Sequence, residues 1–190
     1  MVELIYPVES VAPVLLGQGA GKSSEMLPVV DRLGFVVGQA ARDVCHDGSK
    51  YLHPVVHLHV LNRSGYLYLQ RRSADKELLP LYWDTAVGGH VGYGELMEEA
   101  LYREAAEELG FYDFNPQGIH SYVFESDIEN ELVNVYAAVG DFDIHPDNYE
   151  VCDGRYWSME EIEKEMGNGV LTPNFEMEFR MLKDKLLALL

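Results

Sequence analysis

The segment that most constrains this chain is VGGHVGYGELMEEALYREAAEELGF, residues 87–111, in which glycines precede a long acidic stretch. Apolar residues recur at every fourth position of that stretch, at Met97, Leu101, Ala105 and Leu109. This spacing places them on one face of a helix, so we expect that face to be buried. The pattern predicts a helix from Glu95 to Leu109, and Gly110 is suited to end it at a C-cap position.

Three glutamates of this segment, Glu104, Glu107 and Glu108, fall on one arc beside the apolar stripe, because helix positions three and four apart are neighbours. The helix carries no matching row of lysines, so these like charges repel one another. A hard divalent cation prefers such oxygen ligands and would relieve the repulsion. Arg103 stands where it can pair with Glu95 and brace the glycine loop against the helix. The alternative is an ordinary solvated helix face.

The net charge of −18 at pH 7 limits the binding partners of the protein. A nucleic-acid backbone or an anionic membrane surface would repel it, so we expect neither as a partner. The first residues carry acids where a signal peptide carries basic residues, and no stretch approaches the length of a bilayer span. The chain has two cysteines, Cys45 and Cys152, which we expect to be free thiols in a reducing compartment. These observations together predict a cytoplasmic protein.

The chain divides into an N-terminal extension, residues 1–26, and one domain, residues 27–190. The extension ends in GQGAGKSS, which is similar to a phosphate-binding P-loop. A P-loop needs a glycine five positions before Gly21, whereas Gly17 is one residue too close. A flexible linker is therefore the favoured interpretation of this stretch.

The domain shows alternating strand and helix patterns. Two hairpins are predicted, one around Asp31–Gly34 and one around the RSG turn between HPVVHLHVLN and YLYLQ. Further strands are predicted at IHSYVFE, LVNVYAAV and EVCDGRYW, and later helices start at Ser158 and at Thr172, which precedes a proline. This order predicts a compact α/β domain with a mixed sheet.

The spacing of the glycine and acidic residues resembles the Nudix box. Its fixed positions match Gly89, Glu95, Arg103, Glu104, Glu107, Glu108, Gly110 and apolar Phe111. The resemblance implies an α/β/α sandwich with a mixed sheet and hydrolysis of a diphosphate linked to another moiety, with Mg²⁺ or Mn²⁺ as cofactor. It also implies a small-molecule diphosphate substrate. A bound cation would neutralise this anion and so allow such an acidic protein to bind it.

The resemblance to the Nudix box also implies roles for single residues. Glu104, Glu107 and Glu108 would be metal ligands, with the Gly89 carbonyl as a further ligand. One of these carboxylates, or a glutamate from a later loop, would orient the attacking water. Arg103 and Glu95 complete the implied catalytic set.

Residues 27–180 also resemble type I isopentenyl-diphosphate isomerase, notably at LHPVVHLHVLN, QRRSADKELLPLYWDTAVGGH and IENELVNVYAA. That family holds a divalent metal with three histidines and two glutamates, which match His46, His53, His90, Glu129 and Glu131. Its basic pair that contacts the diphosphate would be Arg72 and Lys76. Alternatively, each of these histidines and glutamates is a structural or surface residue with ordinary hydrogen-bond partners, and the two basic residues are solvated surface charges.

The isomerase chemistry requires a cysteine where this chain has Gly88, and a tryptophan where TPNFEMEF has none. We therefore expect a hydrolase, with an isomerase-like enzyme or a catalytically silent diphosphate- or partner-binding module as alternatives. Five aromatic residues near the predicted hairpins and the glycine segment could stack a nucleobase or pack in the core. They are Tyr66, Tyr68, Tyr82, Trp83 and Tyr93. The apolar C-terminal LLALL either docks on the domain or joins a second copy in a homodimer.

Overall fold

The computed structural model describes residues 1–6, 14–16, 24–76, 78–146 and 149–190. Its elements are β1 (Met26–Val30), β2 (Val36–Ala41), α1 (Arg42–Cys45), β3 (Leu52–Leu61), β4 (Leu67–Arg72), β5 (Trp83–Thr85), β6 (Val87–His90), α2 (Met97–Leu109), β7 (Gln117–Glu125), β8 (Asn130–Val139), β9 (Val151–Trp157), α3 (Met159–Glu165) and α4 (Pro173–Leu187). The P-loop-like stretch GQGAGKSS lies outside the described residues, except for its last serine.

Within the described ranges, the strands form two sheets. Strands β1 and β2 make a two-stranded sheet, and a seven-stranded sheet has the order β5-β4-β3-β8-β7, with β6 paired to β3 and β9 paired to β4. A mixed sheet accompanied by helices confirms the predicted α/β class. Among the described helices, none is both long and apolar enough to cross a membrane.

The chain forms two compact units. The first comprises Met1–Val56, Gly89–Leu101 and His120–Val135, and the second comprises His57–Gly88, Tyr102–Ile119 and Tyr136–Leu190.

The first unit contains the predicted hairpin of β1 and β2. The strands are antiparallel, with Leu27 opposite Ala40. The carboxylate of Asp31 accepts hydrogen bonds from the backbone N–H groups of Leu33 and Phe35, and Gly34 adopts φ +89° in the turn. A side-chain acceptor followed by a glycine in the left-handed region is the chemistry of a tight turn, which confirms this part of the prediction.

The described part of the N-terminal extension is more ordered than its sequence predicts. Ile5 forms a parallel bridge with Phe35, and Leu15 forms one with Gln39 on β2. The N–H of Val2 lies 3.1 Å from the Ser121 hydroxyl oxygen, which accepts it. These hydrogen bonds give the extension partners that its irregular composition did not indicate.

The second unit is built around β4, which pairs with β5 and β9 on its two sides in antiparallel register. Its core contains fully buried side chains from several elements, namely Leu58, Leu67, Leu69, Ile162, Leu171, Phe175 and Phe179. In the C-terminal LLALL, Leu186 is buried, whereas Leu190 is 55% exposed although its side chain approaches Gly65. The C-terminus therefore docks partly on its own unit.

Helix termini follow the predicted chemistry. Ser158 caps α3 in a complete capping box with Glu161, and Thr172 caps α4 with Pro173 in its first turn. Gly110 adopts φ +59° after α2, and Phe111 N–H donates to the carbonyl of Ala105. Both predicted helix starts and the glycine stop are confirmed.

Helix α2 begins at Met97, two residues later than the predicted start at Glu95. The Glu95 backbone N–H donates to the Gly92 carbonyl, and its carboxylate accepts from the Gly92 N–H at 2.8 Å. Glu95 therefore closes a turn on the glycine loop instead of starting the helix. The apolar stripe is buried at all four predicted positions.

Candidate active site

The glutamates at the carboxyl end of α2, in the second unit, differ sharply in exposure. Glu108 is only 8% exposed, Glu104 is half-buried and Glu107 is exposed. The Glu108 Oε2 atom accepts from the Gln70 side chain at 3.2 Å and from the Gly88 backbone N–H at 3.4 Å. The helix thus brings one carboxylate into the protein interior and leaves the next at the surface.

Arg103 bridges the other two carboxylates. Its Nη1 lies 2.7 Å from Glu104 Oε1 and 3.3 Å from Glu107 Oε2. These ion pairs relieve part of the like-charge repulsion that the sequence predicted for this helix. The predicted pairing of Arg103 with Glu95 stays a prediction.

Burial, followed by the negative charge of Glu104, raises the pKa of Glu108 to about 8. The Gly88 N–H and the positive charge of Lys76 act in the opposite direction but do not cancel this effect. A buried carboxylate beside a second carboxylate is stabilised in its charged form by a cation. Oxygen donors of this kind suit Mg²⁺ or Mn²⁺.

The predicted diphosphate-contacting cations also lie in the second unit. The Lys76 ammonium forms an ion pair with Glu150. Arg72 donates to the Leu78 carbonyl and lies 3.4 Å from the Asp84 carboxylate. Both cations therefore already have oxygen partners, with which a bound phosphate would compete or share hydrogen bonds.

In the first unit, three histidines predicted as metal ligands come together. One ring nitrogen from each of His46, His53 and His90 lies within 4.8 Å of the other two. The Nε2 atoms of His46 and His90 are 2.9 Å apart, and His46 Nδ1 lies 2.8 Å from the Glu129 carboxylate. Glu131 is half-buried on β8. We call the set His46, His53, His90 and Glu129 the histidine cluster.

The chemistry of the histidine cluster fits a metal ion. His53 Nδ1 is 2.9 Å from the Tyr51 carbonyl oxygen, while its buried Nε2 has no hydrogen-bond partner among the described residues. Burial lowers the pKa of His53 to about 4, so its ring is neutral at physiological pH. A neutral imidazole whose outer nitrogen is oriented by a backbone carbonyl is a common metal ligand.

The glycine loop before α2 is braced within the first unit. The Gly94 N–H donates to the Tyr6 hydroxyl oxygen at 2.8 Å, and the Tyr6 ring meets the Tyr93 ring edge-on at 5.6 Å. Gly89, whose carbonyl is a predicted ligand, belongs to β6, a short strand that the sequence did not indicate. The N-terminal segment thus holds the loop between β6 and α2 through Gly94 and Tyr93.

Four of the five aromatic residues singled out from the sequence have packing partners or are partly buried. Tyr68 packs on Tyr156 at 5.2 Å, and Trp83 meets Trp157 at the same centroid distance. Tyr93 packs on Tyr6, Tyr82 is half-buried, and Tyr66 remains 43% exposed. Core packing therefore accounts for Tyr68, Trp83 and Tyr93.

One arrangement in the second unit was missed from the sequence. Glu178 on α4 is fully buried and contacts both His57 and His59 on β3. The period-2 spacing of the histidines indicated a shared face. Nothing in FEMEF indicated which of its two glutamates would face them.

Comparison with known proteins places these features in a family. The family model described as NUDIX domain matches residues 51–175. An uncharacterized Nudix hydrolase from Nostoc sp. is 42% identical over 85 residues, which cover 45% of this chain and 50% of that protein. The chain therefore spans about half the length of that relative.

An isopentenyl-diphosphate Delta-isomerase from Paenarthrobacter aurescens is 30% identical over 145 residues, covering 69% of this chain and 74% of the isomerase. The crystal structure of DR0079 from Deinococcus radiodurans is similar with a TM-score of 0.71 and 27% identity, covering 83% of this chain and 98% of that one. The chain thus belongs to the Nudix hydrolase family, on a branch that includes isopentenyl-diphosphate isomerases.

Proposed function

We propose that this protein is a Mg²⁺- or Mn²⁺-dependent hydrolase that cleaves a diphosphate linkage by water attack at phosphorus. Its substrate would be a nucleoside diphosphate linked to another moiety, or a related organic diphosphate. The observation that carries the proposal is Glu108, a buried carboxylate beside Glu104 whose charged form a cation would stabilise.

The proposed ligands of the catalytic metal are Glu104, Glu107, Glu108 and the Gly89 carbonyl. A divalent cation held by such oxygen atoms neutralises the diphosphate, stabilises the charge on the leaving oxygen and lowers the pKa of bound water. Arg103 holds two of the carboxylates in place through its ion pairs. Glu95 maintains the glycine loop through its hydrogen bond from Gly92.

The substrate diphosphate would be received by Arg72 and Lys76. The charge of Lys76 acts on Glu108, which supports a position from which it can reach the same substrate. An Arg or Lys bound to phosphate forms short, charge-assisted hydrogen bonds that can replace a weaker surface ion pair. Glu150 and Asp84 would then hold these cations in orientation between turnovers.

The histidine cluster supports a second metal site, to which Glu131 would also contribute. Its closely placed ring nitrogens favour a bound cation over a simple hydrogen-bonded cluster, as does the buried His53 Nε2, which has no partner in the part of the chain that the structure describes. The same cluster is what keeps an isomerase-like activity as the second candidate. Against that candidate, Gly88 offers no proton donor where the isomerase resemblance requires a cysteine.

The test is a panel of nucleotide sugars, dinucleotide polyphosphates, ADP-ribose, nucleoside triphosphates and prenyl diphosphates, each with Mg²⁺ and with Mn²⁺. We expect phosphate-containing products from at least one substrate class, abolished by EDTA. Isomerisation of isopentenyl diphosphate without phosphate release would support the isomerase candidate. Turnover of no compound would support a silent binding module.

The matched variants are Glu108→Gln and Glu98→Gln, which remove one carboxylate each from the same helix. Glu98 is exposed in the first turn of α2 and lies outside the proposed ligand set. We expect Glu108→Gln to lower kcat by about 100-fold or more and Glu98→Gln to change it less than about twofold, a contrast set by transition-state stabilisation. Full activity of Glu108→Gln would contradict the proposed site.

A further inference from the structure

Strand β4 of the second unit contains a buried glutamine, Gln70, which is only 7% exposed. Because β4 pairs with β5 on one side and with β9 on the other, Gln70 stands opposite both Asp84 and Gly154. The two neighbouring strands fix the backbone at this position. A buried side-chain amide costs free energy unless it is hydrogen-bonded, so the partner that Gln70 finds is the key to its role.

That partner is the buried carboxylate of Glu108. Gln70 Nε2 lies 3.2 Å from Glu108 Oε2, and the Gly88 backbone N–H donates to the same oxygen at 3.4 Å. An ionised carboxylate only accepts hydrogen bonds, so the amide nitrogen of Gln70 faces it whenever Glu108 is charged. Among the described residues, no hydrogen bond reaches the other oxygen, Oε1. Two donors thus hold one oxygen of Glu108 and leave the other for a further partner.

Both donors to Glu108 are electrically neutral. Glu104 and Glu107 each form an ion pair with Arg103, whereas Glu108 forms none within the described part of the chain. A cationic partner at hydrogen-bond distance would neutralise the carboxylate and compete with a metal ion. An amide N–H orients the carboxylate and leaves its charge in place. Glu108 is therefore held in position without being neutralised, as a ligand of a divalent cation requires.

Hydrogen bonds to a metal ligand contribute to metal affinity through the orientation of that ligand. A carboxylate that is already held in one orientation loses less rotational freedom when the metal ion binds. Loss of such a partner typically weakens metal binding by about 10- to 100-fold. Gly88 donates through its backbone, which a side-chain substitution does not remove, so Gln70 is the donor whose contribution can be measured.

We propose that Gln70 is a positioning residue of the metal site. Together with the Gly88 N–H, it holds Oε2 of Glu108, so that Oε1 and the full charge of the carboxylate are available to the divalent cation. This inference rests on the proposed function in one respect, because it takes Glu108 as a metal ligand. It adds a residue outside the Nudix box to the site and requires no contact between Gln70 and the substrate.

The direct test is Gln70→Met, which keeps an unbranched side chain of similar length and removes the amide donor. Binding of Mn²⁺ is measured by isothermal titration without substrate, and Glu108→Gln identifies the binding step that depends on the carboxylate. We expect Gln70→Met to weaken that step by about tenfold or more. The matched control is Gln117→Met, the same change at an exposed position of the same unit, which should leave the titration unchanged.

Turnover supplies a second readout, which a merely structural role would not affect in the same way. With the best substrate of the panel, we expect Gln70→Met to raise the Mn²⁺ concentration for half-maximal activity by about tenfold or more. At saturating Mn²⁺, kcat and KM should return to within about threefold of the original values, because Glu108 itself is still present. A loss of kcat that excess Mn²⁺ does not restore would assign Gln70 to the fold and overturn the proposal.

Melting curves in EDTA serve as the measure of folding. Gln70→Asn is a second variant, which keeps an amide at this position but shortens the side chain by one methylene group and so draws the nitrogen away from Glu108. If Gln70→Met melts far below the unaltered protein, the titration of Gln70→Asn decides, with the same weakening of the Mn²⁺ step expected. An unchanged titration of Gln70→Asn would then overturn the proposal.

The outcomes separate the two proposals. If the unaltered protein hydrolyses no diphosphate but Gln70→Met weakens the Mn²⁺ step that Glu108→Gln removes, the proposed function fails and the role of Gln70 stands. If the protein hydrolyses a diphosphate and Gln70→Met binds Mn²⁺ as the control does, only the role of Gln70 is overturned. A titration in which no step depends on Glu108 would overturn both.

Discussion

At the scale of single residues, the property that distinguishes the candidate site is the burial of one carboxylate among several. The sequence placed Glu104, Glu107 and Glu108 on one arc, but it could not rank their exposure. That ranking depends on Gln70 and Gly88, which contact Glu108 from parts of the chain distant in sequence. The helical spacing of residues in the sequence gives no information about such long-range contacts, so the exposure of each glutamate could not be predicted.

The raised pKa of Glu108 predicts how stability depends on pH in EDTA. Because the folded-state pKa of about 8 exceeds the ordinary value of 4.5, the contribution of Glu108 is fully present below about pH 4.5. It is lost progressively as pH rises from there through about 8, at a cost on the order of 5 kcal/mol. We expect Glu108→Gln to melt several degrees above the unaltered protein at pH 9 and close to it at pH 5. Parallel melting curves at all pH values would contradict this pKa.

A second prediction concerns the replacement of Gly88 by alanine. An alanine methyl would stand in ordinary van der Waals contact with His57, at 3.4–3.6 Å, so Gly88→Ala should fold with a melting temperature within a few degrees of the original. Gly88 also donates its backbone N–H to the buried Glu108 carboxylate. Because a displacement of that carboxylate would disturb the proposed metal site, we expect kcat to drop by about tenfold or more. Steady-state kinetics beside a melting curve checks both parts. Unchanged kcat would show that the proposed site tolerates a methyl group at this position.

At the scale of elements, the local chemistry of caps and turns was predictable, and the short elements were not. Ser158, Thr172 and Gly110 mark helix ends in the sequence because each cap uses its own side chain or backbone freedom. Helix α1 and strands β5 and β6 have three or four residues each, too few to show a period. The start of α2 was wrong by two residues because Glu95 hydrogen-bonds to Gly92.

The N-terminal segment and the glycine loop form a pair of elements with a testable link. Tyr6→Phe removes the acceptor for the Gly94 N–H and keeps the ring contact with Tyr93. Losing one such hydrogen bond should cost about 1 kcal/mol of unfolding free energy. We expect a similar decrease in denaturant unfolding and a several-fold fall in kcat from a looser loop. Tyr149→Phe, at an exposed position in the second unit, is the control.

At the scale of the whole molecule, the sequence predicted the α/β class and the family because the Nudix box combines many fixed positions with a helical period. It also predicted the grouping of His46, His53 and His90 through the isomerase resemblance, and the structure brings their ring nitrogens together. The sequence did not predict the order of the N-terminal segment or the position of Glu178, because both depend on tertiary contacts between distant parts of the chain.

We expect the histidine cluster to bind a metal ion of its own, separate from the proposed catalytic metal. Metal binding there can be measured without any substrate. We expect His53→Gln to lower the number of bound Mn²⁺ ions or weaken one binding step, as seen by isothermal titration. Removing one imidazole ligand typically weakens a site strongly. The control is His120→Gln, a histidine of the same unit outside the cluster. Identical titrations of the two variants would remove the cluster from the metal sites.

Hydrolysis by water attack at phosphorus is tested by turnover of the best diphosphate substrate with Mg²⁺ in ¹⁸O-labelled water, followed by mass spectrometry of both products. Water attack at phosphorus predicts one ¹⁸O atom in a phosphate-containing product and none in the organic moiety. We expect no reaction in EDTA and a turnover lowered by about 100-fold or more in Glu108→Gln. Label in the organic moiety, or a rearranged product that keeps its diphosphate intact, would contradict hydrolysis at phosphorus by this site.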